Sequence, residues 1–305
     1  MDKEALTFKS NGKFLITAEY LILKGAIGIA LPLNRGQILT IKKNNTEFIH
    51  WESSVFGKTW FACKLKVADL SVVSATDDEI SKSLVKILKV AKDANPEFLL
   101  TGVNAAIDAD FNLAWGLGSS STLINNIAQW SGVDPYYLLE NTFGGSGYDI
   151  ACASANGPLT YQILGENRIV QEVNFQPSFS QNIFFVYLGK KMNSRTGMSY
   201  FKEKAKYGEK EIERINTITE DIISSSSRTE FEKLLNEHED IMSEILQIPT
   251  IKKSNFSDYP YTTKSMGAWG GDFVLVTGND FDSVKKYFNS KRLETVIHYK
   301  DIVLS

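Results

Sequence analysis

The stretch Trp115-Gly116-Leu117-Gly118-Ser119-Ser120-Ser121-Thr122 stands directly before an apolar run that continues to Trp130. Its two glycines let backbone amides approach an anion closely, its serines offer capping oxygens and hydroxyl donors, and the dipole of a following helix favours negative charge at that end. The combination reads as a phosphate cradle. No Gly-Lys-Ser or Gly-Lys-Thr follows, which rules against a P-loop. A glycine-serine turn opening a helix is also an ordinary structural device, so the flanking sequence has to decide between the two readings.

Upstream, short β-rich runs alternate with polar breaks at 14–16, 20–23, 27–31, 38–42, 48–51 and 60–65, a meander of strands rather than a βαβ repeat. Ile80, Leu84, Ile87, Leu88 and Ala91 follow helical spacing behind the capping groups of Thr76-Asp77-Asp78-Glu79 and predict a helix over about 78–94. A strand pair is expected within 98–110. Downstream, Gly132 closes the apolar helix, Asp134-Pro135 starts another through about 142, and Gly144-Gly145-Ser146-Gly147 precedes a third over about 148–155. Strands at 158–164 and 169–175 lead to the polar stretch 176–180, read as a lobe boundary. Beyond it come a strand at 183–188, charged helices over 200–246, a glycine turn at 267–271, a strand at 273–277, a helix near 281–288 and a last strand at 293–299. The helical region breaks at the four serines 224–227, where Thr229 and Glu232 have the spacing of a capping box. No internal repeat or heptad array is present.

At 305 residues, with 43% apolar and 23% charged side chains, the chain exceeds the usual size of a single core and predicts two lobes. A formal charge of −3 provides no general field for nucleic acid or an anionic membrane, so anions must be bound by a local site. Cys63 and Cys152 are far apart in apolar surroundings and read as buried hydrophobes rather than a disulfide. Met1-Asp2-Lys3-Glu4 is charged and precedes a strand-like run, which sets the expectation of a cytoplasmic protein without signal peptide or membrane span. His50, His238 and His298 have no metal-site spacing and read as surface or strand residues.

Two further stretches bear on the phosphate cradle. Lys9-Ser10-Asn11-Gly12-Lys13 runs into Ala18-Glu19-Tyr20, so that a lysine and a glutamate flank an apolar run. Lys264-Ser265-Met266-Gly267-Ala268-Trp269-Gly270-Gly271-Asp272 is a second glycine turn leading into a strand. Together the three stretches resemble, in order, the three motifs of the GHMP kinases, the superfamily of galactokinase, homoserine kinase, mevalonate kinase and phosphomevalonate kinase. Gly116 to Ser120 match motif two, Gly-Leu-Gly-Ser-Ser, without change, whereas Asn11 replaces a proline of motif one and Trp269 a glycine of motif three. Ser146-Gly147-Tyr148-Asp149-Ile150-Ala151 is similar to the Ser-Gly-aromatic-Asp segment of the mevalonate and phosphomevalonate kinases. It also resembles a bacterial branch of the superfamily marked by Gly-Tyr-Asp-Ile-Ala.

The resemblance implies an α+β, two-lobed GHMP kinase fold. Residues 1–180 would form an ATP-binding lobe like the second domain of ribosomal protein S5, and residues 181–305 a ferredoxin-like α/β lobe. It implies an ATP- and Mg2+-dependent kinase of mevalonate or phosphomevalonate, with a decarboxylase-like enzyme or sugar kinase of the same fold, or a non-catalytic nucleotide sensor, as alternatives. Asp149 would accept or orient the proton of the attacking hydroxyl and Lys13 would pair with it and neutralise transferred charge, the other reading of Lys13 being a snorkelling strand-end lysine. Gly116, Leu117, Gly118, Ser119, Ser120 and Ser121 would hold the ATP phosphates, with Ser120 also on the metal. Glu19, Ser146, Gly147, Gly267 and Ala268 would line the substrate. Glu140 is either a second metal ligand or an exposed helix glutamate, its spacing to Asp149 differing from the family's. Lys190, Lys191 and Arg195 either grip an anionic substrate or form a solvated surface run. Asp149 itself is also readable as a helix-start aspartate that only complements the dipole. Partners would be a small anionic substrate and, compatibly with the sequence, a second copy of the chain, with no nucleic acid or membrane.

Overall fold

The computed structural model describes residues 5–190, 194–269 and 271–304, with side chains inside the helix at 194 and 195 outside the description; Lys191, of the expected basic loop, and Gly270, of the third motif, also lie outside the described residues. The strands are β1 (Leu6–Leu15), β2 (Gly28–Lys43), β3 (Phe48–Val55), β4 (Lys58–Lys66), β5 (Val72–Ala75), β6 (Val103–Ala109), β7 (Leu159–Leu164), β8 (Asn167–Glu172), β9 (Ile183–Tyr187), β10 (Thr263–Ser265), β11 (Phe273–Thr277) and β12 (Val296–His298). The helices are α1 (Asp78–Ala94), α2 (Ser119–Ser131), α3 (Pro135–Thr142), α4 (Tyr148–Ser154), α5 (Ser194–Lys204), α6 (Glu209–Ser224), α7 (Arg228–Leu246), α8 (Ile251–Asn255), α9 (Phe281–Ser290) and α10 (Tyr299–Ile302).

The chain forms two compact units, both discontinuous: residues 1–12, 35–113 and 117–154 make one, residues 13–34, 114–116 and 155–305 the other. β1 and β2 run through both, which is why the units follow contacts and not chain order. The expected division at 180/181 follows chain order and is a different partition.

In the first unit the strand order is β5-β4-β3-β6-β2, antiparallel except for the parallel pair β3–β6. The alternating inward residues Leu39 and Ile41, Ile49 and Trp51, Phe61, Cys63 and Leu65, and Val103, Ala105 and Ile107 form one core with Leu84, Ile87, Leu88 and Ala91 of α1 and Ile124 and Ile127 of α2. α1 starts where the sequence places it because the side chain of Asp77 accepts from Ile80 N at 2.9 Å. The buried face of α2 is more polar than its reading as an apolar helix. Ser10 Oγ donates to Asn126 Oδ1 at 2.7 Å, Asn125 Nδ2 to Ser10 Oγ at 2.9 Å, and Thr122 Oγ1 to Gln37 Oε1 at 2.8 Å. Directional bonds fix a helix in rotation and register where apolar contact alone leaves slack.

In the second unit β2 continues into β7 and β8, and a second sheet has the antiparallel order β10-β11-β9-β12. β11 is buried along its whole length, with Val274 and Val276 packed beside Phe184 and Val186 against Val284 and Phe288 of α9. On α7, Phe231, Leu235, His238, Met242 and Ile245 recur at helical spacing and are all buried.

Several elements differ from the sequence reading. Residues 21–24 form a 3-10 turn instead of a strand, because Ala18 and Tyr20 take left-handed backbone angles that end extended structure. The runs at 27–31 and 38–42 are one strand, and the expected pair in 98–110 is the single strand β6. The cap of α7 is two residues earlier than expected. Ser227 Oγ accepts from Glu230 N at 3.3 Å and Glu230 reaches back to Ser226 N at 3.4 Å, while Glu232 instead accepts from Arg228 Nε at 2.7 Å. Both cysteines are buried free thiols, as expected.

Candidate active site

In the first unit, Gly118 takes φ 94° and ends the loop in a left-handed turn that no residue with a Cβ adopts cheaply. α2 then begins without any side-chain cap, contrary to the expected serine capping, and its first intrahelical bond runs from Thr122 N to Gly118 O at 3.0 Å. The preceding first-turn amides therefore keep their donors, and the positive end of a 13-residue helix, open to an acceptor. Ser120 is exposed and Ser119 half-buried.

Ser121 is the last of the residues expected to hold phosphate. It is buried, and its hydroxyl donates to Asp149 Oδ2. Asp149 Oδ1 accepts from Ile150 N at 3.1 Å, so the half-buried carboxylate is fixed at both oxygens. Its place follows from sequence: Gly144, Gly145 and Gly147 all have positive φ and reverse the chain, and Ile150, Cys152 and Ala153 bury one side of α4. Ser146 is half-buried and Gly147 buried in that turn. Glu140 is exposed on α3. Among the described residues no group of three or more His, Cys, Asp or Glu side chains forms a metal cluster. A Mg2+ ion carried in on a nucleotide needs only one or two protein oxygens, and the exposed Ser120 hydroxyl fits that need.

In the second unit, Lys13 lies at the end of β1 and donates from Nζ to Gly116 O at 2.9 Å. Gly116 has φ 68°, and a Cβ there would overlap the carboxylate of Asp272. Tyr187 Oη donates to Ala114 O at 3.2 Å, so the segment 114–116 is held from three sides. Gly267 has φ 61° and is half-buried with Ala268. Trp269, which replaces a glycine of the motif it resembles, is forced to φ 45° and is 4% exposed, with no hydrogen-bond partner for its indole N–H among the described residues. Lys190 is exposed, and Arg195 lies on α5.

Glu19, expected to line the substrate, is enclosed. It is 1% exposed and its Oε1 accepts from Lys264 Nζ, which is itself fully buried and also donates to Ser265 O at 2.7 Å. Ser265 in turn donates from N (3.1 Å) and Oγ (2.8 Å) to the buried Glu239. Burial raises the Glu19 pKa to about 7 despite Lys264, and raises that of Glu239 too. His238 is buried on α7 rather than at the surface, and burial and then Lys264 hold its pKa well below 6.5. Its Nε2 lies 3.4 Å from Glu19 Oε2, but this is not an ion pair: the same nitrogen accepts from Ala18 N at 3.0 Å, so the ring is neutral and its proton sits on Nδ1. Lys264, Glu239, His238 and Asp272 were invisible as a set in the sequence, although the apolar spacing of α7 marks position 238 as inward-facing.

No protein-family model matches the sequence, and no curated protein matches it. Solved structures do. The chain is similar to the mevalonate kinase of Methanococcus jannaschii with a TM-score of 0.72 and 14% identity over 99% of both chains. It is similar to the phosphomevalonate kinase of Streptococcus pneumoniae, solved in complex with phosphomevalonate and AMPPNP, with a TM-score of 0.67 and 14% identity over 99% of this chain and 98% of that one. The galactokinase of Lactococcus lactis, solved with galactose, gives a TM-score of 0.61 at 12% identity over 94% and 89%. Through its strand order, its glycine turns and these likenesses across nearly its whole length, the chain has the α+β fold of the GHMP kinases.

Proposed function

We propose that the protein is an ATP-dependent small-molecule kinase whose substrate is an anionic hydroxylated metabolite of the mevalonate or phosphomevalonate class. The observation that carries this reading is the joining of an uncapped helix N-terminus to a fixed carboxylate by the bond from Ser121 to Asp149. The open amides of Ser119 and Ser120 suit phosphate oxygens. Asp149 accepts or orients the proton of the attacking hydroxyl, and Lys13 supplies positive charge to the transferred group. Mg2+, when bound with ATP, would neutralise phosphate charge, with the Ser120 hydroxyl as the protein's contribution. Lys190, exposed ahead of α5, favours an anionic substrate. The division of labour between residues 1–180 for nucleotide and 181–305 for substrate is part of the same proposal.

The test is incubation with Mg-ATP and a panel of mevalonate, phosphomevalonate, diphosphomevalonate and sugars, with products identified by mass spectrometry. A product one phosphoryl group heavier, reduced ~100-fold or more in Asp149→Ala, supports the reading. Release of carbon dioxide moves the protein to decarboxylation, and ATP binding without turnover of any compound favours a sensor.

A further inference from the structure

Asp272 has no role in the reading above, yet its setting is specific. It takes φ 54°, a left-handed backbone that non-glycine residues keep only where the surroundings impose it. Here Asp272 N donates to Lys190 O at 2.7 Å and its carbonyl accepts from Leu188 N at 2.8 Å, which fixes the residue at the entrance to β11. Its carboxylate then lies against the α-carbon of Gly116, leaving no room for a methyl group. Gly116 O is the acceptor for Lys13 Nζ. The next residue, Phe273, packs edge-on against Trp115 at 5.8 Å and against Phe14 at 5.3 Å, the chain neighbours of Gly116 and Lys13. Two successive residues thus hold both partners of the Lys13–Gly116 hydrogen bond.

We propose that Asp272 is a positioning residue for Lys13: its carboxylate wedges Gly116 in the turn that aims the carbonyl at the lysine ammonium. The proposal rests on the kinase reading for its consequence in catalysis, but the positioning itself does not. With the wedge gone, the left-handed turn at Gly116 has space to relax, the carbonyl swings, and the ammonium loses a fixed acceptor. A displacement of about 1 Å in a charge-stabilising group costs on the order of 100-fold in rate.

The experiment measures the rate at which the Lys13 amine is acylated by acetic anhydride, followed by peptide mapping, in the intact protein without nucleotide or substrate. Asp272→Gly is the primary variant, because glycine accepts φ 54° and the fold is spared the strain that alanine would meet. Its Lys13 labelling is expected to rise about five-fold, the scale of one lost hydrogen bond. Asp272→Asn keeps the wedge shape and removes the charge, and is expected to label within about two-fold of the unmodified protein. Labelling of Asp272→Gly at the unmodified rate overturns the proposal. So does Asp272→Asn labelling as fast as Asp272→Gly, since charge alone would then account for the effect. Where the panel yields a substrate, Asp272→Gly lowers kcat more than KM for ATP and adds nothing further in a Lys13→Ala background. Faster labelling in Asp272→Gly without any turnover would uphold the positioning and sink the kinase reading instead.

Discussion

The hydroxyl of Ser121, in the first turn of α2, donates to the carboxylate of Asp149, 28 residues further along the chain in the first turn of α4. The helix that presents open amides thereby also sets the direction of the acidic side chain. Replacing Ser121 by alanine leaves Asp149, among the described residues, with its bond from Ile150 N. We expect kcat to fall about 10-fold while thermal stability changes by about 1 kcal/mol, the worth of one hydrogen bond. Steady-state kinetics beside a melting curve checks this. A Ser121→Ala enzyme with unchanged kcat would remove the hydroxyl from the site.

Gly116 is constrained twice, by φ 68° and by the Asp272 carboxylate. Gly116→Ala should destabilise the protein by about 2–4 kcal/mol, combining left-handed strain with overlap. Adding Asp272→Gly removes the overlap and leaves the strain of about 1–2 kcal/mol. The double variant should therefore be more stable than the single one, measured by denaturant unfolding. Strict additivity would mean that the two residues do not press on one another.

Glu19 gives the stability a definite pH dependence. Its folded pKa of about 7 lies above its ordinary value of 4.5, so its contribution is fully present below pH 4.5 and is lost as pH rises to about 7. The loss is of the order of 3 kcal/mol. Glu239 shifts in the same direction, whereas His238, held neutral, loses stability as pH falls below 6.5. Glu19→Gln removes one of the terms that oppose folding at high pH. Its Tm should decline less than the unmodified protein's between about pH 5 and about pH 8. Parallel profiles for the two proteins would place the Glu19 pKa elsewhere.

The buried Lys264 is the cation shared by this cluster. Lys264→Met leaves Glu19 and Glu239 buried without their counter-charge, and a loss of about 3–5 kcal/mol is expected from unfolding curves near neutral pH. The loss should shrink toward about pH 5, where both carboxyls can take up protons. A pH-independent loss would indicate that packing alone is disturbed.

Gly197 of α5 sits against the hydroxyl of Tyr20, whose ring stacks on Phe201 at 5.2 Å. Alanine there should gain helix propensity of about 1 kcal/mol, but the methyl would overlap the hydroxyl, so Gly197→Ala is expected to lower Tm. In a Tyr20→Phe background most of that penalty should vanish. A penalty of equal size in both backgrounds would place the clash elsewhere.

Much of this was legible in one dimension. The apolar spacing of 80, 84, 87, 88 and 91 placed α1 to the residue, because helix periodicity and an aspartate cap are local properties. The Gly-Leu-Gly-Ser-Ser stretch marked the turn before α2, and Gly144 to Gly147 marked the turn before Asp149, since positive φ favours glycine. Strand lengths were less legible: the runs at 27–31 and 38–42, expected as separate strands, lie within the one long strand β2, which carries Pro32 and Gly36 between them.

By itself, then, the sequence determined the longer helices α1, α2, α6, α7 and α9, the glycine turns and the residue types able to handle phosphate and proton, all of which depend on neighbours a few positions away, whereas the short helices α8 and α10 were not legible in it. Only the tertiary structure decided what each polar group touches. It joined the Ser121 hydroxyl to Asp149, took Glu19 out of reach of solvent and gave it to Lys264, and set Asp272 against Gly116. These pairs are separated by tens to hundreds of residues, and their chemistry comes from desolvation and exact approach, which no local pattern encodes.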